Sequence, residues 1–245
     1  MNKQDFQDAC ELIISREREK TGIGTLSEKT LHAVLKQYFA PNANDREIKI
    51  GRYVADIVGE NGIIEIQTQG FNQLRDKLAE FLECARVTVV YPIAQTKWLC
   101  WINGETGEVT KKRKSPKTGT GYDAFFELYK IKQLLGHPNL SFCFVFLEME
   151  EYRYLDGWSK DKKKGSSRQD RLPVELVEEV YLHSTADYAK LIPAGLPSPF
   201  TARDYAKASK LNLKAAQTAL NVLNYVNAVR RTGKQGNAYL YELNK

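Results

Sequence analysis

The alternation of apolar and polar residues predicts two short β-strands within residues 52–68, joined at Asn61-Gly62. Asn-Gly is the dipeptide best suited to the two-residue turn of a β-hairpin. With the turn there, Asp56 lies opposite Gln67. Because side chains alternate with period two, Asp56, Glu65 and Gln67 are expected to share one face of the hairpin.

This face of the hairpin is a candidate metal site. Directly opposed side chains in a hairpin have Cβ atoms about 5 Å apart, and diagonal neighbours are roughly 7 Å apart. Two carboxylates and an amide oxygen at that spacing can bind one hard divalent cation. Solvent exposure is the alternative explanation, because the wet face of an antiparallel hairpin also carries acidic residues.

A helix is predicted before the hairpin, over residues 27–39, with Ser27 as its N-cap. Its apolar stripe consists of Leu31, Val34, Leu35 and Tyr38. Glu28 extends this stripe by one turn, which directs it toward the surface on which the helix packs. The helix dipole alone also favours an acidic residue in the first turn, so both interpretations of Glu28 stay open.

The elements around the hairpin follow a simple order. A strand is predicted over residues 46–50, a second amphipathic helix over 71–82, and an apolar β-branched strand over 86–93. Such an uninterrupted apolar run is typical of a strand that is buried on both faces. The order is therefore helix, three strands, helix, strand.

This order, with an acidic residue in the first helix, Asp56 on the second strand and Glu65-Ile66-Gln67 on the third, resembles the PD-(D/E)xK nuclease superfamily. The residues that carry the resemblance are Glu28, Asp56, Glu65 and Gln67, and it covers roughly residues 27–93. It implies an α/β fold of the restriction-endonuclease-like kind, with a central mixed sheet flanked by helices.

The chain departs from the family pattern at Gln67, where the family usually has lysine. Some active members carry glutamine there, so the difference does not exclude catalysis. By sequence, Lys49 on the preceding strand and Lys77 on the following helix are the nearest candidates for the missing ammonium group.

The resemblance implies metal-assisted hydrolysis of phosphodiester bonds. Asp56 and Glu65 would bind Mg²⁺ or Mn²⁺, with Glu28 assisting directly or through water, and the metal would activate a water molecule. Gln67 could orient that water or contact the phosphate, although a neutral amide is neither base nor acid near pH 7.

Other catalytic systems have weaker support in the sequence. The three histidines are widely separated, and His32, one turn after Glu28, is more readily explained as a structural residue. The four cysteines lack zinc-binding spacing, and the glycine-rich segment 117–122 lacks the order of a nucleotide-binding phosphate loop.

The nuclease-like domain is expected to extend to residue 192. A helix over 122–135, an apolar strand over 140–147 and a weaker strand over 177–183 add to its sheet and covering layers. Residues 192–199 contain three prolines and a glycine, which end regular structure. The predicted domains are therefore 1–192 and 193–245.

The second domain resembles a winged helix-turn-helix, over roughly residues 198–245. A short helix capped by Thr201, a longer helix from Leu213 to about Val226, and a basic hairpin over 229–243 carry this resemblance. In such domains the second of these helices enters the major groove and the wing contacts the backbone. The expected DNA-binding residues are Lys214, Gln217, Thr218 and Asn221 on the helix, and Arg230, Arg231 and Lys234 on the wing.

Composition is consistent with a folded chain that lacks targeting signals. The 245 residues are 42% hydrophobic, and no apolar run approaches the roughly 20 residues of a membrane span. The polar start and scattered cysteines predict a cytoplasmic location with no membrane partner. The net charge of +6 is concentrated in basic clusters at 111–117 and 160–171, which are expected to be loops. Each is either solvated surface or a phosphate contact.

Together these features predict a Mg²⁺-dependent endonuclease for double-stranded DNA, of a restriction, transposition or repair type, with restriction first. A homodimer is a natural expectation for double-strand cleavage. Two alternatives remain: a non-catalytic DNA-binding regulator that has lost nuclease activity, with Gln67 as the symptom, and an adaptor whose winged helix binds a protein.

Overall fold

The computed structural model describes residues 2–21, 30–154 and 167–244. The α-helices are α1 (Lys3–Thr21), α2 (Thr30–Phe39), α3 (Phe71–Cys84), α4 (Phe125–Lys130), α5 (Ala202–Ser209) and α6 (Leu213–Tyr225). The strands are β1 (Arg46–Ile50), β2 (Tyr53–Gly59), β3 (Gly62–Ile66), β4 (Val87–Ile102), β5 (Arg113–Lys114), β6 (Leu140–Tyr154), β7 (Arg168–Leu182), β8 (Val229–Gln235) and β9 (Ala238–Leu243).

The fold is mixed α/β, as predicted, and centres on a large mixed sheet. Its strand order in the described residues is β1-β2-β3-β4-β6-β7, with β5 paired to β4. Strand β4 runs parallel to both β3 and β6, whereas β1-β2, β2-β3 and β6-β7 are antiparallel. A separate hairpin is formed by β8 and β9.

Strand β6 shows why the middle of the sheet is apolar on both sides. Phe142, Phe144 and Phe146 belong to the hydrophobic cluster that contains residues of α3, α4 and α6. The residues between and beyond them, Cys143, Val145 and Leu147, belong to a second cluster with residues of α1 and α2. Because strand residues alternate between faces, the continuous apolar run buries both faces at once. The sheet is therefore covered by helices on each side.

The turn of the β2-β3 hairpin lies one residue earlier than predicted, which shifts each pairing by two residues and brings Asp56 next to Glu65 rather than Gln67. Gly59 pairs with Gly62 and Val58 with Ile63, so Glu60 and Asn61 occupy the turn. The reason lies in Gly62, which has a φ of 110° and sits against strand β4, where an added Cβ would lie 2.3 Å from the carbonyl oxygen of Arg86. Glycine is needed here for close approach to the neighbouring strand rather than for the turn.

Several elements are longer than predicted or were not predicted. The predicted strand over 86–93 continues as β4 to residue 102, and the predicted strand over 177–183 begins at residue 168 in β7. The basic cluster at 111–117 contains the short strand β5 rather than only a loop. Helix α1 has a weak amphipathic pattern and was not predicted. The segment 155–166, with most of the second basic cluster, lies outside the described residues.

The C-terminal helices share a core with the sheet. Leu220 and Leu223 of α6 are fully buried in the same cluster as Phe71 and Leu128. The hydroxyl group of Tyr205 in α5 donates a 2.8 Å hydrogen bond to the carbonyl oxygen of Leu191. The hydrophobic core is therefore continuous across the predicted boundary near residue 192. The division into two domains stays a prediction. No helix in the described parts of the chain has the length and apolarity that a membrane crossing requires.

Candidate functional site

Strands β2 and β3 separate beside two carboxylates. Their pairing ends at Ile57 and Ile64, and the next residues along the two strands are Asp56 and Glu65. Here side chains replace the backbone ladder: the amide of Asp56 donates to Glu65 Oε1 at 3.1 Å, and the amide of Ile66 donates to Asp56 Oδ2 at 2.8 Å. The fork between the strands thus holds Asp56 and Glu65 next to each other.

Helix α3 adds a cation to this fork. The Nζ of Lys77 donates to Glu65 Oε2 at 2.5 Å, and the side chains of Lys77 and Glu65 are only 19% and 2% exposed. Burial raises the pKa of Glu65 to about 7, and the charge of Asp56 acts in the same direction, whereas Lys77 lowers it. Glu65 is therefore close to its titration point near neutral pH, and a further positive charge would ionise it fully.

The carboxyl group of Asp56 is held in its charged form by His32, by a backbone amide and, as for Glu65, by Lys77. Burial by itself would raise its pKa, but His32 lowers it through a hydrogen bond and its charge, as do the amide of Ile66 and the ammonium of Lys77. The net result is a pKa below the usual value. His32 Nε2 lies 3.3 Å from Asp56 Oδ2 and reaches it from helix α2. The fork thus pairs an ionised carboxylate with one that titrates.

Gln67 lies immediately beyond the end of β3. Its backbone amide donates to the carbonyl oxygen of Val90 at 2.9 Å, which keeps it beside strand β4. Its side-chain Nε2 donates to the carbonyl oxygen of Gln69 at 2.5 Å. Gln67 is therefore close to the fork in sequence, but its amide group bonds within its own loop rather than to either carboxylate.

The predicted site residue Glu28 lies in segment 22–29, outside the described residues. In the ranges that are described, no group of three or more His, Cys, Asp and Glu side chains could hold a metal ion. Asp56 and Glu65 remain as two hard oxygen donors, which is the number of protein carboxylates that a Mg²⁺ site with water and substrate ligands commonly uses. This donor set fits magnesium. Lys77 also neutralises part of the negative charge of the two carboxylates, through its ion pair with Glu65.

Helix α6 presents the predicted DNA-binding residues along one side. Lys214 and Gln217 are exposed, and the hydroxyl group of Thr218 donates to the carbonyl oxygen of Lys214. Asn221 Oδ1 accepts a 3.1 Å hydrogen bond from Lys132 Nζ. Asn221 is thus hydrogen-bonded to the segment after α4, and Lys132 lies next to the polar side of α6.

The β8-β9 hairpin carries its cations in two different settings. The guanidinium carbon of Arg231 lies 4.3 Å from the ring centre of Tyr239 and 5.8 Å from that of Tyr241. The Nζ of Lys234 lies 5.0 Å from the ring centre of Tyr239. Arg230 instead forms a 3.0 Å ion pair with Glu242. Arg231 and Lys234 therefore stack on aromatic rings and keep their charge available at the surface.

The structure also brings in residues that the sequence singled out weakly or not at all. Lys77 was one of two candidates for the missing ammonium, and it contacts Glu65, whereas Lys49 is exposed on β1. Lys132 lies 5.5 Å and 5.2 Å from the ring centres of Tyr129 and Tyr225. No sequence signal pointed to this last group, because its members come from separate elements.

The chain belongs to the family described as "Domain of unknown function (DUF8091)", whose model matches residues 29–183. That range includes the forked strands and Lys77, begins one residue after Glu28, and ends before α5. The chain is also 30% identical, over 186 residues, to an uncharacterized protein of Treponema pallidum (strain Nichols), a match that covers 76% of this chain and 74% of the relative. No solved structure matches the chain.

Proposed function

We propose that this protein is a Mg²⁺-dependent endonuclease that hydrolyses phosphodiester bonds in double-stranded DNA. The observation that carries the proposal is the fork between β2 and β3, where Asp56, Glu65 and Lys77 meet. Two adjacent carboxylates and an ammonium group are the charges needed to hold a divalent cation and to stabilise a phosphate in the transition state.

Each residue of the fork has a distinct part in this proposal. Asp56 and Glu65 would hold the Mg²⁺, which supplies charge stabilisation and an activated water when it is bound. Lys77, on α3, would supply the ammonium group that the family pattern has at the position of Gln67, and it would stabilise charge on the phosphate oxygens. His32 keeps Asp56 ionised and oriented. Glu28 and Gln67 remain proposed contributors, Glu28 as a ligand and Gln67 as a group that orients water.

The arrangement of elements supports a restriction-endonuclease-like fold for the sheet and its helices. Helix α2 is followed by the antiparallel strands β1, β2 and β3, then by α3 and the parallel strand β4. One carboxylate lies on β2 and the other near the end of β3, beside the parallel strand β4. This is the order and the position on which the resemblance to PD-(D/E)xK nucleases rests.

The C-terminal segment supports duplex DNA as the substrate. Helix α5, helix α6 and the basic hairpin β8-β9 follow the order of a winged helix-turn-helix, with Lys214 and Gln217 exposed on α6. In this proposal α6 contacts base edges, and Arg231 and Lys234 contact backbone phosphates. A homodimer would place two forks on opposite strands, as cutting both strands requires.

A non-catalytic DNA-binding regulator is the second candidate. The observation that favours it is the hydrogen bond between the Gln67 side chain and Gln69, which directs the amide into its own loop. A regulator would bind DNA through the same C-terminal elements without cutting it. An adaptor that binds a protein through α6 would bind DNA weakly or independently of Arg231 and Lys234.

The decisive test is cleavage of supercoiled plasmid and of a diverse pool of linear duplexes with Mg²⁺ or Mn²⁺. Asp56→Asn and Glu65→Gln keep the shape of each side chain and remove one charge, and the matched control is Glu60→Gln, which removes an exposed carboxylate from the turn of the same hairpin. The proposal expects cutting by the wild type and by Glu60→Gln, and loss of cutting with either fork variant or with EDTA. Tight binding of DNA with no cutting of any substrate would favour the regulator.

A further inference from the structure

The burial and the residue types of the central strands change about halfway along their length. Pairing shifts register between Ala94 and Thr96 in β4, and next to Phe146 and Glu148 in β6. Before this level β6 is buried and apolar, and beyond it the strands mix charged and apolar residues, most of them partly buried. Residues 96–102, 149–154 and 168–173 are called the outer sheet below. Cys100, Ile102 and Met149 are buried here, and the charged residue Glu151 is buried in the same part of the sheet.

Glu151 is the centre of one face of the outer sheet. Its side chain is 3% exposed, and it forms ion pairs with Lys97 at 3.3 Å, with Arg153, and with Arg168 at 3.8 Å. Burial would raise the pKa of Glu151, but these three cations lower it below its usual value, so the carboxylate is charged. One buried anion thus organises three cations, and the cluster has an excess of positive charge.

Arg171 adds a fourth cation with an unsatisfied donor. Arg171 stands opposite Glu151 in the register of strands β6 and β7, and its Nη2 is buried without a hydrogen-bond partner among the described residues. The neighbouring Asp170 cannot compensate fully, because its carboxylate accepts hydrogen bonds from the amide and hydroxyl of Thr30. A buried guanidinium donor without a partner, beside a second guanidinium in Arg168, is costly unless an anion binds there.

We propose that Arg168 and Arg171, positioned by Glu151, form a binding site for phosphate groups of the nucleic-acid backbone. Arginine presents a planar fork of donors that matches phosphate oxygens, and Glu151 fixes the neighbouring cations before the ligand arrives. The inference deepens the proposed function, since it adds a backbone contact on the sheet to those on the C-terminal elements. The site recognises phosphate whatever the sequence, so it gives affinity and salt dependence without base specificity.

The test measures binding in EDTA, where cleavage does not interfere. Affinity for a short duplex of about 20 base pairs is measured over a range of salt concentrations, for wild type, Arg171→Gln and Arg168→Gln. Arg168→Gln serves as the second variant because its side chain is 38% exposed and its loss disturbs the fold least. The control is Lys3→Gln, which removes an exposed lysine that pairs with Glu175, a residue of β7 outside the outer sheet. Inorganic pyrophosphate is titrated in parallel as a free anion.

The site is supported if each arginine variant weakens binding to unrelated duplexes by about 5-fold to 10-fold and lowers the salt slope by about 1, while Lys3→Gln leaves both unchanged. Unchanged slopes in folded arginine variants, or an equal effect of Lys3→Gln, would overturn it. Pyrophosphate binding that needs Arg171, with no effect of Arg171 on duplex binding, would also overturn it, because the source of phosphate would be a free anion. The two proposals can fail independently. If duplex binding depends on Arg171 but Mg²⁺ produces no cutting, the phosphate site is supported and the nuclease proposal fails.

Discussion

Lys77 reaches across from helix α3 to within 2.5 Å of Glu65, a carboxylate that is almost completely buried at the end of strand β3. The contact joins helix α3 to the hairpin, because Lys77 follows Glu65 by twelve residues and lies on a different element. Since burial and Asp56 raise the pKa of Glu65 while Lys77 lowers it, the charge of this carboxylate depends on its ammonium partner.

Replacing Lys77 is expected to abolish most of the proposed cleavage. Lys77→Gln removes the ammonium group from the fork and should lower kcat by about 100-fold or more, a typical loss when one group that stabilises transition-state charge is removed. Steady-state cleavage of a plasmid measures this. Lys49→Gln is the matched control, because Lys49 is exposed on β1, and it should retain full activity.

A lysine at position 67 tests whether Lys77 has taken over its role. The double variant Gln67→Lys with Lys77→Gln returns the ammonium to the position of the family pattern, and we expect it to recover part of the lost activity. A double variant as inactive as Lys77→Gln alone, with the same melting temperature as wild type, would contradict this replacement.

Glu65 should make the stability of the metal-free protein fall as pH rises. Its pKa is about 7 in the folded protein and 4.5 ordinarily, so the folded state binds more protons between these values. The stability contributed by the protonated form is present below pH 4.5 and is lost as pH rises through about 7, on the order of 3 kcal/mol. Urea unfolding in EDTA should therefore show wild type losing stability relative to Glu65→Gln over that range. A difference that does not change with pH would refute the assignment.

The two arginines of the β8-β9 hairpin are expected to differ in their effect on DNA binding. Arg231 stacks on Tyr239 and Tyr241, whereas Arg230 is paired with Glu242. Arg231→Gln should weaken duplex binding by roughly 10-fold, and Arg230→Gln by clearly less, because much of its charge is already balanced within the hairpin. Fluorescence anisotropy at two salt concentrations measures both. Equal losses would show that the stacking does not matter.

Tyr205→Phe should destabilise the whole chain. The hydroxyl of Tyr205 is buried and donates to Leu191, so its removal leaves a buried carbonyl group without that donor. We expect a loss of about 1–2 kcal/mol and a fall in melting temperature of roughly 2–8 °C. Tyr225→Phe is the control, since Tyr225 is 43% exposed and its hydroxyl lies 3.5 Å from the carbonyl oxygen of Gln133. Calorimetry giving two separate transitions would contradict a continuous core.

Local pattern was enough to predict the elements that carry the carboxylates. Strict alternation identified β2 and β3, and it placed Asp56 and Glu65 on neighbouring strands. The turn was placed one residue too late, and the pairing two residues out of register, because Gly62 packs closely against the backbone of Arg86, the residue before β4. That contact depends on which strands lie next to each other in the sheet. The preference of Asn-Gly for turns carries no information about neighbouring strands.

The remaining parts of the site depend on packing between distant elements. The approach of Lys77 to Glu65 requires α3 to lie on a particular part of the sheet, and His32 reaches Asp56 only because α2 covers the other side. The outer sheet was missed for a different reason. It mixes apolar residues with charged residues that form ion pairs with Glu151, so the sequence there shows no regular apolar pattern.

The common core of α6 and the sheet has a consequence for how a nuclease of this construction would choose its cleavage position. Leu220 and Leu223 belong to one hydrophobic cluster with Phe71 of α3, and α6 packs on α4, so α6 is held by side chains on the same body that carries the fork. The interval between the bases that α6 contacts and the bond that is hydrolysed would then be a fixed number of base pairs. Lengthening the segment between residues 192 and 199 would leave that interval unchanged.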